Sequence, residues 1–238
     1  MKKFLIICAL LGFTSVQAAP PTPTITLGVS GTASLLDVKG QETLDSGLTA
    51  QSNRTEEVGA GYISVFGEMH LMEIMGAGLR LGASYVPYAL ESETTERTVS
   101  EGEQGYDHNR MKYLGASRDG YTQTVQVDIE DLMAAYVSVH YELMGNNVFI
   151  KGGVMEADLV TKETLATGSS YPNATLEGIF GGVGMDRDLD NGMFLRAELS
   201  LMEFDDIKLR STGSDLNNII DVTDMTGTNA TISIGKTF

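Results

Sequence analysis

Three things are scarce in this sequence, and each scarcity closes a door. There is one cysteine, Cys8, among the 238 residues, so no disulfide can form within the chain and no cluster of thiolates can bind a metal. No stretch approaches the ~18 consecutive apolar residues that a membrane-spanning helix requires. Basic residues number 16 against 32 acidic ones, a formal charge of -16, which argues against nucleic acid as a partner because its phosphates would be repelled. Tryptophan is absent and aromatics make up 7% of the chain, whereas glycine is abundant at 27 residues.

The start, MKKFLIICALLGFTSVQAA, has two lysines, an apolar run from Phe4 to Phe13, and small residues near Ala18 and Ala19. That is the pattern of a secretory leader, with cleavage expected after Ala18 or Ala19. Its apolar run is shorter than the ~20 residues of a helical span. Cys8 lies inside the leader, and its neighbours Ile6 and Ile7 lack the small residue that lipoprotein processing needs. The mature chain, 19–238, would carry 14 basic and 32 acidic groups, a net of -18. An exported chain with no helical span can still cross a membrane as a closed barrel.

Eight stretches alternate apolar and polar residues with the period of a β-strand. In Thr24–Leu36, Ile25, Leu27, Val29, Ala33 and Leu35 oppose threonines, serines and Gly28. The others run from about Val58 to Leu71, Gly76 to Tyr88, Thr122 to Leu143, Val148 to Glu163, Thr175 to Arg187, Met193 to Leu209, and Thr226 to Phe238. The fourth is the clearest, with apolar residues at odd positions from Val125 to Leu143 and a break in phase only around Asp131 and Leu132. An amphipathic helix would need apolar spacings of three and four, which are missing here.

Connection lengths alternate. Short turns are expected between strands two and three, four and five (Gly145–Asn147) and six and seven (Asp188–Gly192), whereas 37–57, 89–121, 164–174 and 210–225 read as long polar loops. These features predict an all-β fold, an eight-stranded antiparallel up-and-down transmembrane β-barrel with short periplasmic turns and longer outer loops. A soluble sandwich would have to fill its core with Leu, Val, Ile, Ala, Met and Gly and few large aromatics, a poor filling for ~220 residues.

The terminal NATISIGKTF sets Ile232, Ile234 and Phe238 on one face. This ending resembles the signal by which outer-membrane barrels are recognised by their assembly machinery. FLRAELSLMEFDDI (Phe194–Ile207) resembles the seventh strand, and LRLGASYVPY (Leu79–Tyr88) the third, of the opacity/OmpA-like eight-stranded barrels. The resemblance extends over the whole mature chain as a pattern. Lys236 departs from it, standing outward where an aromatic is common, and can snorkel to the headgroups. The resemblance implies a bacterial outer-membrane location, contact with lipopolysaccharide, and no reaction.

With polar faces inward, Glu68, His70, Arg80, His140, Glu142, Lys151, Arg196 and Glu198 fall at similar depth a few residues from the short turns. Eight strands enclose little more than side chains, so these groups are expected to form a salt-bridged plug. The alternative is a narrow pore for ions or small solutes. A third reading, a lipid-modifying enzyme, is disfavoured. It needs Ser and His together on a lipid-facing strand, whereas Ser138 and His140 have inward parity and His108 sits in GYDHNR far from serines. No catalytic residues, cofactor or metal site are therefore expected. The loop Ala89–Tyr121, with Glu91, Glu93, Glu96, Glu101, Glu103, Asp107 and Asp119, offers an acidic surface to an extracellular partner or to divalent cations.

Overall fold

The computed structural model describes residues 24–44, 49–50, 54–92, 95–99, 106–107, 112–113, 121–164, 169–213 and 218–238. The leader and its cleavage point lie outside these residues, as do Glu93, Glu101, Glu103, His108 and Asp119 of the acidic loop. Eight long strands form the wall: β1 (Ile25–Leu44), β2 (Arg54–Ile74), β3 (Ala77–Tyr85), β4 (Tyr121–Leu143), β5 (Asn146–Thr164), β6 (Ala174–Asp188), β7 (Met193–Phe204) and β8 (Ile219–Thr237). Each pairs antiparallel with its neighbour in sequence, and β1 pairs with β8, which closes the ring. Closure removes the sheet edges that would otherwise leave backbone groups unpaired in lipid.

The short turns are tight because their backbone twist matches that of the strands. Met75 and Gly76 (φ 53° and 83°), like Met144 and Gly145 (φ 53° and 77°), put positive φ at both central positions, the I′ hairpin geometry. Glycine adopts this φ without strain, so each turn needs one glycine. The second of these turns therefore ends at Gly145, and Asn146, expected within the turn, opens β5.

Polarity is inverted relative to a soluble protein. Outward side chains such as Ile63, Leu199, Leu201 and Ile232 are 56–67% exposed, while inward Ser30, Ser64, Glu68, Ser138, Asp186 and Arg196 are buried. On β1 the apolar exterior runs from Ile25 to Leu35. Eleven residues rise about 36 Å along the strand, and a tilt of ~45° brings this to the roughly 25 Å band of a bilayer. The apolar face has no protein layer to cover it among the described residues, so its solvent is lipid. The fold is an eight-stranded transmembrane β-barrel, as the alternation predicted.

The strands run further than the alternation did. β1 continues to Leu44, β2 starts at Arg54, and β8 starts at Ile219, so much of what read as loops 37–57 and 210–225 is ladder. Likewise Leu90–Glu91 and Thr95–Val99 pair with β4. Beyond the membrane both faces of a strand can be polar, so the periodic signal fades although the backbone pairing persists. β7 instead stops at Phe204, and Ile207–Arg210 pairs with β8 as a separate strand. The phase break at Asp131 is a bulge with φ 51°, mirrored on β8 by Asp224, also at 51°.

Candidate functional site

Inward side chains of the barrel form two layers. Near the short turns lies an ionic layer centred on Arg196 of β7. Its guanidinium donates from Nε and Nη2 to Asp186 of β6 (2.7 and 3.0 Å) and from Nη1 and Nη2 to Glu68 of β2 (2.5 and 3.0 Å). A planar fork of five donors suits two bidentate carboxylates, which a lysine could not serve. The rings of Phe66, Phe149 and Phe194 stand 4.8–5.4 Å from its Cζ, so the cation is held by aromatic faces as well. Arg80 of β3 reaches Glu68 at 3.4 Å and Asp186 at 3.9 Å, and the Tyr136 hydroxyl donates to Glu68 at 3.0 Å.

A second pair, Lys151 and Glu198, meets at 2.7 Å, with the ammonium 4.5 Å from the Tyr136 ring centre. Three cations thus face three anions, but one member differs from the expected set. Asp186, which falls within the sixth stretch of alternation, takes the central place expected for Glu142. Glu142 has the expected parity yet lies exposed beside the Met144–Gly145 turn, opposite Asn147 in the ladder. His70 is half-buried at that same end, with Nε2 3.2 Å from the Met72 carbonyl. His140 is buried, stacked on Phe149 at 4.9 Å.

His140 also corrects the reading of Ser138. Ser138 Oγ lies 2.9 Å from His140 Nε2, and His140 Nδ1 lies 3.5 Å from Asp186 Oδ2. Inward parity brings nucleophile, base and acid together, as sequence spacing alone did not suggest. The trio lacks what acyl transfer requires. Ser138 is 1% exposed and does not line the lumen cavity described below, and the carboxylate that would orient the base is already committed to Arg196. We expect no labelling of Ser138 by a fluorophosphonate in the folded protein. Labelling lost on Ser138→Ala would reverse that view. Among the described residues no group of three or more His, Cys, Asp or Glu is placed to hold a metal ion.

Towards the outer end, the lumen is filled by an apolar layer, Met155, Ala157, Leu176, Phe204 and Met225, with Leu132 packed against it. Met155, Ala157, Leu176 and Phe204 lie in segments read as strands, and Met225 at the end of the stretch read as the 210–225 loop. Above it the Tyr171 hydroxyl donates to Glu42 at 2.9 Å. On the closing seam between β1 and β8, Thr26–Thr237, Ser30–Ser233 and Thr32–Thr231 form hydroxyl pairs at 2.8–3.0 Å. A cavity of about 90 Å³ remains between the two layers.

At the end of the chain Ile232, Ile234 and Phe238 all face outward, and the Phe238 amide bonds the Ile25 carbonyl at 2.8 Å. Lys236 lies 5.4 Å from the Phe238 ring centre.

No protein-family model matches the chain, and no curated protein matches it in sequence. Among solved structures it is similar to the outer membrane protein OprG of Pseudomonas aeruginosa. The two are 14% identical over 94% of this chain and 99% of that one, with a TM-score of 0.54. It is also similar to the outer membrane protease OmpT of Escherichia coli, 11% identical over 94% of this chain and 100% of that one, with a TM-score of 0.52. At such identities the likeness is one of fold. The fold, together with the apolar belt of the wall, is that of a bacterial outer-membrane β-barrel, and the outer membrane is its location.

Proposed function

We propose that the protein is a closed barrel of the opacity/OmpA-like kind that stabilises the outer membrane and displays an acidic outer rim to partners. The observation that carries this reading is the double closure of the lumen. Arg196 ties β7 to both β6 and β2 across the interior, and the apolar layer fills the other end. Charges in a narrow lumen must satisfy one another, because neither lipid nor bulk water can do so.

Outside the belt, acidic residues face one another in register: Asp37 and Glu57, Glu130 and Asp158, Glu156 and Glu177. Directly opposed like charges weaken a ladder, so this rim favours a role at the surface over one in stability. Divalent cations bridging the rim to lipopolysaccharide phosphates would relieve the repulsion. Residues 1–18 or 1–19 act as the export leader, and Ile232, Ile234 and Phe238 serve as the assembly signal.

Refolded protein in a planar bilayer, with insertion confirmed by heat-dependent gel mobility, is expected to pass no discrete current. Stable single-channel steps would overturn closure and install the pore reading in its place.

A further inference from the structure

Two methionines at the short-turn end have the largest exposure of any large apolar side chain among the described residues, Met75 at 98% and Met144 at 94%. Both stand at the first central position of an I′ hairpin, with φ 53°, where asparagine, aspartate or glycine is usual. A bulky side chain seldom takes a positive φ. Two of them at equivalent places call for a partner outside the turn.

The turns are neighbours, since β3 pairs with β4 from Ala77 opposite Tyr141. The outward face of the wall runs into both without a polar break. Ile74 and Leu143, the last outward residues before the tips, are half exposed, whereas the carboxylates of Glu73 and Glu142 belong to the lumen-facing set. No charged residue stands on the outward face of β3, or of β4 between Met133 and Leu143. The other side of the barrel ends differently. Arg187 on β6 faces outward opposite Leu195, and Lys236 on β8 faces outward opposite Leu27. Outward cations at the edge of an apolar belt mark the level of the headgroups.

Belt thickness gives the same placement. On β4 the outward apolar run lies between Asp131 and the turn, from Met133 to Leu143. Eleven residues rise about 36 Å along the strand, and a tilt of ~45° reduces this to the roughly 25 Å apolar band of a barrel. The band is therefore filled only when its lower edge reaches the turn itself.

We propose that the β2–β3 and β4–β5 turns are membrane-binding tips, holding Met75 and Met144 in the boundary between acyl chains and headgroups of the periplasmic leaflet. The barrel leans, so that β2–β5 sink further into that leaflet than β6–β8. The partner is phospholipid because the tips continue a surface that meets lipid along its whole length. An unbranched, flexible thioether suits disordered chains. This placement rests on the bilayer location and not on closure of the lumen, so the conductance result leaves it standing.

The test uses the full chain with Cys8→Ser and one of Met75→Cys, Met144→Cys or Asn191→Cys, labelled with bimane and refolded into phosphatidylcholine vesicles. Cys8 is the sequence's one cysteine, so each label reports one turn, and Asn191 supplies the control on the β6–β7 turn. Heat-dependent gel mobility establishes insertion. Lipid carrying a nitroxide near its headgroup is expected to quench the labels at Met75 and Met144 several-fold more than that at Asn191, and iodide on both sides of the bilayer the reverse. Iodide quenching at Met75 and Met144 equal to that at Asn191 overturns the tips as membrane-bound. Equal lipid quenching at all three overturns the lean. The unsubstituted protein gives a second reading if the cysteine variants do not fold. Hydrogen peroxide should convert Met75 and Met144 to sulfoxides several-fold more slowly in vesicles than in the urea-unfolded chain, and equal rates would place both side chains in water.

Discussion

Replacing Arg196 by alanine is expected to lower the barrel's unfolding midpoint by the equivalent of ~3–5 kcal/mol, the usual cost of breaking a buried ion pair. The substitution strands two carboxylates, Glu68 and Asp186, each with a side chain at most 3% exposed, and removes the group that joins β2, β6 and β7 across the lumen. Arg80→Ala should cost less. Its guanidinium is 22% exposed at the mouth of the short-turn end and meets Glu68 only at 3.4 Å. Combining Arg196→Met with Glu68→Gln and Asp186→Asn should recover most of the loss, because it removes the stranded charges as well as the bridge. The measurement is the fraction with folded gel mobility across a heat or urea series. An unchanged midpoint for both Arg196→Ala and Arg80→Ala would remove the ionic layer as a source of closure.

The second large effect is expected at a glycine. Gly82 on β3 lies directly across the ladder from Tyr136 on β4, and the tyrosine ring lies flat against the space a side chain would need. A Cβ at Gly82 would overlap the ring carbons and crowd the hydroxyl. Gly82→Val must therefore swing Tyr136 away from Glu68, which loses the 3.0 Å hydrogen bond and the ring beneath Lys151 together. Overpacking alone costs ~1–3 kcal/mol, and the lost contacts add to it, so folded yield should fall sharply. Gly31→Ala is the matched control, since nothing lies within 4 Å of its added methyl and the position faces lipid. It should stay within about 0.5 kcal/mol of the parent. Equal losses at Gly82 and Gly31 would show that the effect is generic strand weakening and not the ring contact. Phe149 stands in the same relation to Gly184, so the device is repeated around the wall.

Period-2 alternation assigns each side chain to a face with no knowledge of its neighbours, because successive Cβ atoms in a strand must point opposite ways. For that reason Ile63, Leu199 and Ile232 were legible as outward, and Arg80, His140 and Arg196 as inward, from the order of residues alone. The bulge at Asp131 was legible too, as a slip in that phase. The outer ends of β1, β2 and β8 were not, since polar residues on both faces erase the period while the backbone ladder runs on.

Within the lumen, alternation gives direction but not partnership. Glu68 and Arg196 are 128 positions apart in sequence and meet only because the ring closes and its strands are staggered. Asp186 stands between Arg196, its neighbour across the β6–β7 ladder, and His140 of β4, Glu142 is left exposed beside its turn, and Ser138 reaches His140 because alternate residues of one strand share a face. The sequence by itself determined the membrane-facing and lumen-facing sides of every clear strand, because that choice is local to the backbone. Which inward groups touch and where the apolar layer closes the outer end were decided by the curvature and register of the assembled barrel.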